Sequence, residues 1–143
     1  MTTVDGRTIG LAHYAGRALA ERVLDRHRLA FLDHLALRAA HTADLPPTPE
    51  ELAARLTADL KEDPARSRRA VDSLVTRGHL EFDGPGLRPS PTGRALFATA
   101  TAEVAEVSAR IYAGLSEEEL TAAGRVLEQV TRRANAELAA LGT

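Results

Sequence analysis

The side chains with chemical reach in this 143-residue chain form two groups: the histidines His13, His27, His34, His41 and His79, and a cluster of cations around Arg66, Arg68 and Arg69. A helical zinc site needs two histidines four residues apart with an acid beside them, and none of the five stands in such a pairing. With no cysteine in the chain there is no thiolate to complete a metal site, no disulfide framework and no thiol nucleophile. Glycine-rich phosphate loops, a nucleophile elbow and a serine or threonine with a base partner are equally missing from the sequence. Glu117, Glu118 and Glu119 read as carboxylates meeting the positive end of a helix rather than as an acid-base pair. The chemistry therefore points away from an enzyme, a metal or a cofactor. What remains is the guanidinium group, a planar fork that grips carboxylates and phosphates and more often lies idle on a solvated helix face.

The charge distribution decides where such forks matter. The formal net charge of −2 excludes a broadly basic surface, so contact with a polyanion has to come from a local patch. Residues 1–60 carry seven Arg against eight acids, residues 61–94 carry seven Lys or Arg against five, and residues 101–143 carry four Arg against seven. The middle third is the one net positive stretch. Arginine abundance alone carries no weight, because Lys61 is the sole lysine and such a bias follows genomic base composition.

Several helices must position these residues. Apolar side chains at Ile9, Ala12, Leu19, Ala20, Val23 and Leu24 recur at three- and four-residue spacing and predict a first helix to about Asp25. Leu29, Leu32, Leu35, Ala36 and Ala39 predict a second to about Ala40, stopped by Asp44-Leu45-Pro46-Pro47. Thr48-Pro49-Glu50-Glu51 combines a capping hydroxyl, a proline at the first helical position and a glutamate able to reach back, predicting a third helix to about Leu56. Asp63-Pro64 repeats that logic and predicts a helix through Arg77, ended by Gly78. Leu52, Ala53 and Leu56 with Ala70, Val71, Leu74 and Val75 would share one small core. His79–Phe82, a Gly/Pro turn and Leu87–Ser90 read as a two-stranded wing. Ser90-Pro91 opens a fifth helix to about Ala113, and Ser116 with Glu119 opens a sixth.

The first, fifth and sixth helices carry longer apolar stripes than the central elements can cover. On the sixth, Leu120, Ala123, Leu127, Val130, Ala134, Leu138 and Leu141 keep near-heptad spacing. A twofold homodimer of interdigitating terminal helices is the expected solution, with a monomeric bundle as the alternative. The fold class expected is mainly α, a winged helix-turn-helix with long terminal dimerisation helices and a short two-stranded wing. The corresponding division is 1–28 for an N-terminal dimerisation helix, 29–92 for the central lobe and 93–143 for the C-terminal dimerisation helices.

The order of these elements, with Glu51–Leu56, Ala70–Gly78, Pro91-Thr92-Gly93-Arg94-Ala95-Leu96-Phe97 and Gly114–Leu120 in register, resembles the MarR family of transcription factors from roughly Ile9 to Leu141. The resemblance implies that the helix from Asp63 to Arg77 is a recognition helix lying in a DNA major groove. Arg66 and Arg69 would be the leading base readers, through bidentate contact with guanine, with Arg68 and Ser73 beside them. Lys61 and Arg77 would meet phosphates and set the register. Arg88, the only cation of the wing, would be its one means of entering a minor groove.

Two departures accompany the likeness: the wing lacks the family's Asp-x-Arg motif within a longer hairpin, and the turn between Leu56 and Asp63 is longer than usual. The resemblance also implies a small aromatic or anionic effector, for which His13, Tyr14, Arg17, His34 and Arg38 offer stacking, proton exchange and carboxylate pairing. The resulting expectation is a ligand-responsive, cytoplasmic regulator that binds double-stranded DNA as a dimer, without membrane attachment. The alternative is a winged-helix scaffold that has lost DNA binding and serves as a sensor or interaction module.

Overall fold

In the computed structural model, which describes residues 1–142, each helix start is set by the caps that its sequence supplies. The carboxylate of Asp5 accepts the amide of Thr8 at 2.7 Å and opens α1, Gly6–Leu24. A single 3-10 turn, Asp25–His27, ends with Arg28 in the left-handed region at φ 55° and redirects the chain. In α2, Phe31–Thr42, the Asp33 carboxylate accepts the Ala30 amide at 3.0 Å. Thr48 and Glu51 bond each other's amides reciprocally at 3.0 and 3.1 Å, with Pro49 at the first position of α3, Pro49–Leu60. Asp63 accepts the amide of Arg66 at 3.1 Å at the head of α4, Pro64–Thr76.

One expectation is corrected at the α3–α4 junction. The third helix continues a full turn past Leu56 to Leu60, so the turn shrinks to Lys61, Glu62 and Asp63. Leu60 stands four residues after Leu56 and keeps the helical spacing, and nothing in Thr57, Ala58 or Asp59 breaks a helix. Lys61 at φ 54° reverses the chain, and its ammonium donates to the Ala58 carbonyl at 2.6 Å.

The hairpin consists of β1, Leu80–Asp83, and β2, Gly86–Pro89, antiparallel with Leu80 opposite Pro89 and Glu81 opposite Arg88. Two close approaches fix it. The Leu87 amide donates to the Pro47 carbonyl at 2.7 Å, and a Cβ on Gly86 would overlap Pro46 backbone. A Cβ on Gly93, in the first turn of α5 (Pro91–Tyr112), would overlap the His79 carbonyl oxygen. Buried Ser90 joins these pieces, accepting the Gly93 amide at 3.0 Å and donating to the Gly78 carbonyl at 2.6 Å.

The chain divides into two compact units, Met1–Glu106 and Val107–Thr143. The core of the first joins Leu24 and Leu29 with Leu37, Leu52, Leu56, Val71, Leu74, Leu80 and Leu87, closed by Phe97 and Ala100 of α5. Of the small core expected between α3 and α4, Leu52, Ala53, Leu56, Val71 and Leu74 belong to it, Val75 is half-buried at its edge, and Ala70 is buried beside it. Full burial of each leucine contributes on the order of 2 kcal/mol. The second unit holds α6, Glu117–Leu141, opened by Ser116, which accepts the Glu119 amide at 3.1 Å. No residue of α6 is buried, and Leu120, Leu127, Val130, Leu138 and Leu141 of its apolar stripe are all exposed. Among the described residues no helix is long and apolar enough to cross a membrane.

Candidate nucleic-acid interface

The buried face of α4 is made by Ser67, Ala70, Val71 and Leu74, and the Ser67 hydroxyl accepts from Thr57 of α3 at 3.0 Å. At about 100° per residue, the opposite face is centred near Arg69. Arg66 and Ser73 flank it on one side and Arg68 on the other. All three arginines are exposed, whereas Ser73 is half-buried.

The electrostatic environment separates residues that the sequence treats alike. Arg68 is held by two carboxylates, its Nε on Asp72 at 2.9 Å and its Nη1 on Glu50 of α3 at 3.0 Å. The Asp72 hydrogen bond, followed by that to Glu50, raises its pKa above the ordinary arginine value. Arg68 is thus an exposed strut between α3 and α4. Arg66 pairs loosely with Glu62 at 3.4 Å, a contact easily exchanged for another anion. Arg77 turns inward, its Nη2 donating to the Arg28 carbonyl at 2.6 Å and its Nη1 lying 3.5 Å from the Asp33 carboxylate. Arg88 is flanked by Glu81 at 3.2 Å and Asp83 at 3.5 Å. Of the seven residues singled out for DNA contact, Arg69 is the one arginine without a carboxylate partner among the described residues.

The five effector candidates differ in their surroundings. His13 and Tyr14 make an edge-on ring pair at 5.8 Å, and Tyr14 is exposed. Arg17 pairs with Glu21 at 2.7 Å and lies 4.6 Å over the Phe31 ring. His34 is buried, its Nε2 3.2 Å from the Thr101 hydroxyl and its ring 5.6 Å from Phe97. Burial, reinforced by the charge of Arg38, lowers its pKa to about 4 and keeps the imidazole neutral.

Arg38 lines a cleft, a space of about 140 Å³ between α2 and α3 that Leu35, Arg55, Leu56 and Asp59 also border. A wider groove of about 410 Å³ lies between α3 and α4, bordered by Ala53, Ala54, Thr57, Pro64 and Arg68. Sequence reasoning missed both spaces, since a gap between neighbouring helices leaves no periodic signature in either helix. It also missed the pairing of His27 with Glu103 at 2.9 Å and the His41–Phe97 ring contact at 4.9 Å, each joining residues far apart in the chain.

These elements, a three-helix lobe with a capped, arginine-bearing fourth helix followed by a hairpin, define a winged helix-turn-helix protein. No protein-family model matches the chain, and no curated protein matches it significantly. Solved structures do. A transcriptional regulator, PA3341, superposes with a TM-score of 0.78 at 20% identity, over 92% of this chain and 98% of its own. Staphylococcus aureus MarR in complex with salicylate and kanamycin gives 0.77 at 16%, over 92% and 90% of the two chains. The Mycobacterium tuberculosis MarR family protein Rv2887 in complex with DNA gives 0.70 at 19%, over 90% and 98%. The chain has the fold of the MarR-family regulators, and the expected winged helix-turn-helix architecture is the one observed.

Proposed function

We propose that this protein is a DNA-binding transcriptional regulator that acts as a homodimer in the cytoplasm and reads a pseudo-palindromic operator with α4 in the major groove. The observation that carries the reading is Arg69, an exposed guanidinium with no carboxylate partner among the described residues, near the centre of the face of α4 opposite the core. Arg66 and Ser73 extend that face, and Arg66 leaves only a loose pair with half-buried Glu62 to reach a base or phosphate. The MarR-family protein with this fold that was solved with DNA supports the same use of the scaffold. Lys61, at the turn before α4, serves as a phosphate contact. Arg68 and Arg77 act mainly by stiffening the lobe that presents the reading face.

What supports the dimer is the apolar stripe of α6, which the chain leaves exposed from Leu120 to Leu141. Two copies with one recognition helix each would meet successive major grooves about one helical turn apart. A small aromatic anion is the proposed effector, by analogy with the salicylate-bound neighbours. The Arg38 cleft suits it best, because the guanidinium of Arg38 borders it together with the apolar side chains of Leu35, Leu56 and Leu60, while its one carboxylate, Asp59, is paired with Arg55.

Selection of short duplexes by the purified protein, read by fluorescence anisotropy at two salt concentrations, tests the proposal. A palindrome bound with affinity that falls steeply with salt is expected, as is loss of binding in Arg69→Ala with the fold intact. Failure to enrich any duplex would overturn the reading in favour of a sensor or interaction module.

A further inference from the structure

The hairpin has an unusual charge arrangement for an element beside a polyanion-binding face. In a two-stranded ladder residues two apart share a face, so Glu81 and Asp83 of β1 lie on the same side as Arg88 of β2. Glu81 stands directly opposite Arg88, and Asp83 is its diagonal neighbour. The contacts follow that register: Arg88 Nε meets Glu81 at 3.2 Å while Nη1 meets Asp83 at 3.5 Å. All three side chains are about half exposed, so a phosphate approaching this face meets the carboxylates as well as the guanidinium. From His79 to Ser90 the only formal charges are these two acids and this one base.

We propose that Glu81 and Asp83 limit the DNA affinity of this protein by holding Arg88 away from phosphate, so that the hairpin weakens binding delivered by α4. The inference rests on the DNA-binding reading above. For Arg88 to reach a phosphate it has to leave two carboxylates, and those carboxylates then face the same phosphate with like charge. The guanidinium gains one anion and loses two. Replacing both acids by their neutral amides removes the competition and the repulsion together while keeping the side-chain shapes.

The test is a double-mutant cycle on a selected duplex, comparing wild type, Glu81→Gln with Asp83→Asn, Arg88→Ala, and all three changes combined. The amide pair is expected to bind roughly tenfold tighter at moderate salt, with the log–log salt slope steeper by about 0.9 for one added phosphate contact. Arg88→Ala alone is expected to leave affinity within about twofold and to abolish the gain when added to the amide pair. A large loss from Arg88→Ala in the wild-type background would overturn the proposal, as would a gain that persists without Arg88. If wild type binds its duplex, loses it on Arg69→Ala, and the amide pair changes nothing, the hairpin proposal fails while the regulator reading stands. If no variant binds any duplex, both fail. Circular dichroism confirms that each variant is folded.

Discussion

Arg69 and Arg68 are adjacent residues of one type, yet their surroundings give them different work. Two carboxylates neutralise Arg68 and tie α3 to α4, while Arg69 faces outward without one. Arg69→Ala is therefore expected to reduce duplex affinity at least tenfold without moving the thermal midpoint, whereas Arg68→Ala should lower the midpoint slightly, as loss of an exposed ion pair does, and change affinity less. Anisotropy and thermal unfolding of the two variants separate these roles.

His34 makes a pH prediction at the same scale. Its folded-state pKa of about 4 lies below the ordinary 6.5, so between those values the unfolded chain binds the proton and the folded chain resists it. The stabilisation is complete above pH 6.5 and declines as pH falls towards 4, by about 3 kcal/mol in all. Denaturant titrations at pH 7.5 and 5.5 should show the decline, and His34→Gln should flatten it.

The elements are fixed by caps at their starts and by close approaches between them. Removing the Asp63 side chain leaves the Arg66 amide without its partner, and Asp63→Ala should destabilise by about 1 kcal/mol, readable in a denaturant midpoint. Gly93→Ala should cost considerably more, about 2 kcal/mol or above, because its Cβ meets backbone that cannot swing aside. The hairpin would then lose its seat on α5, since Ser90 links Gly78 to Gly93. α4 and the hairpin are thus presented by one joined set of backbone contacts, with Leu87 bonded to Pro47 on the far side.

At the scale of the molecule, the exposed stripe on α6 is the feature that a single chain leaves unresolved. Val126, Leu127 and Val130 are each more than two-fifths exposed, and covering such a row is what a second copy would do. Leu127→Glu with Val130→Glu is expected to convert the dimer to monomer in sedimentation velocity. Duplex affinity should fall with it, because two half-sites can no longer be engaged at once. A wild-type chain that sediments as a monomer would remove the dimer from the proposed function.

Sequence alone determined the features that depend on local rules. Thr48-Pro49 with Glu51, Asp63-Pro64 and Ser116 with Glu119 mark helix starts because a cap needs only a few consecutive residues. The apolar spacing of Leu52, Ala53 and Leu56 against Val71 and Leu74 foretold the lobe's core, and Asp83–Gly86 foretold the hairpin turn. The end of α3 is not legible in the sequence because its stop depends on Lys61, a non-glycine residue, adopting a left-handed backbone.

Tertiary structure decided which charges are engaged. Arg68 meets Glu50 across a helix pair, Arg77 meets Asp33 and the Arg28 carbonyl across the lobe, and His34 meets Thr101 and Phe97 of α5. These partners lie far apart in the chain. Ion pairing and burial act over a few ångströms of space, so distance along the sequence carries no record of them until the fold closes.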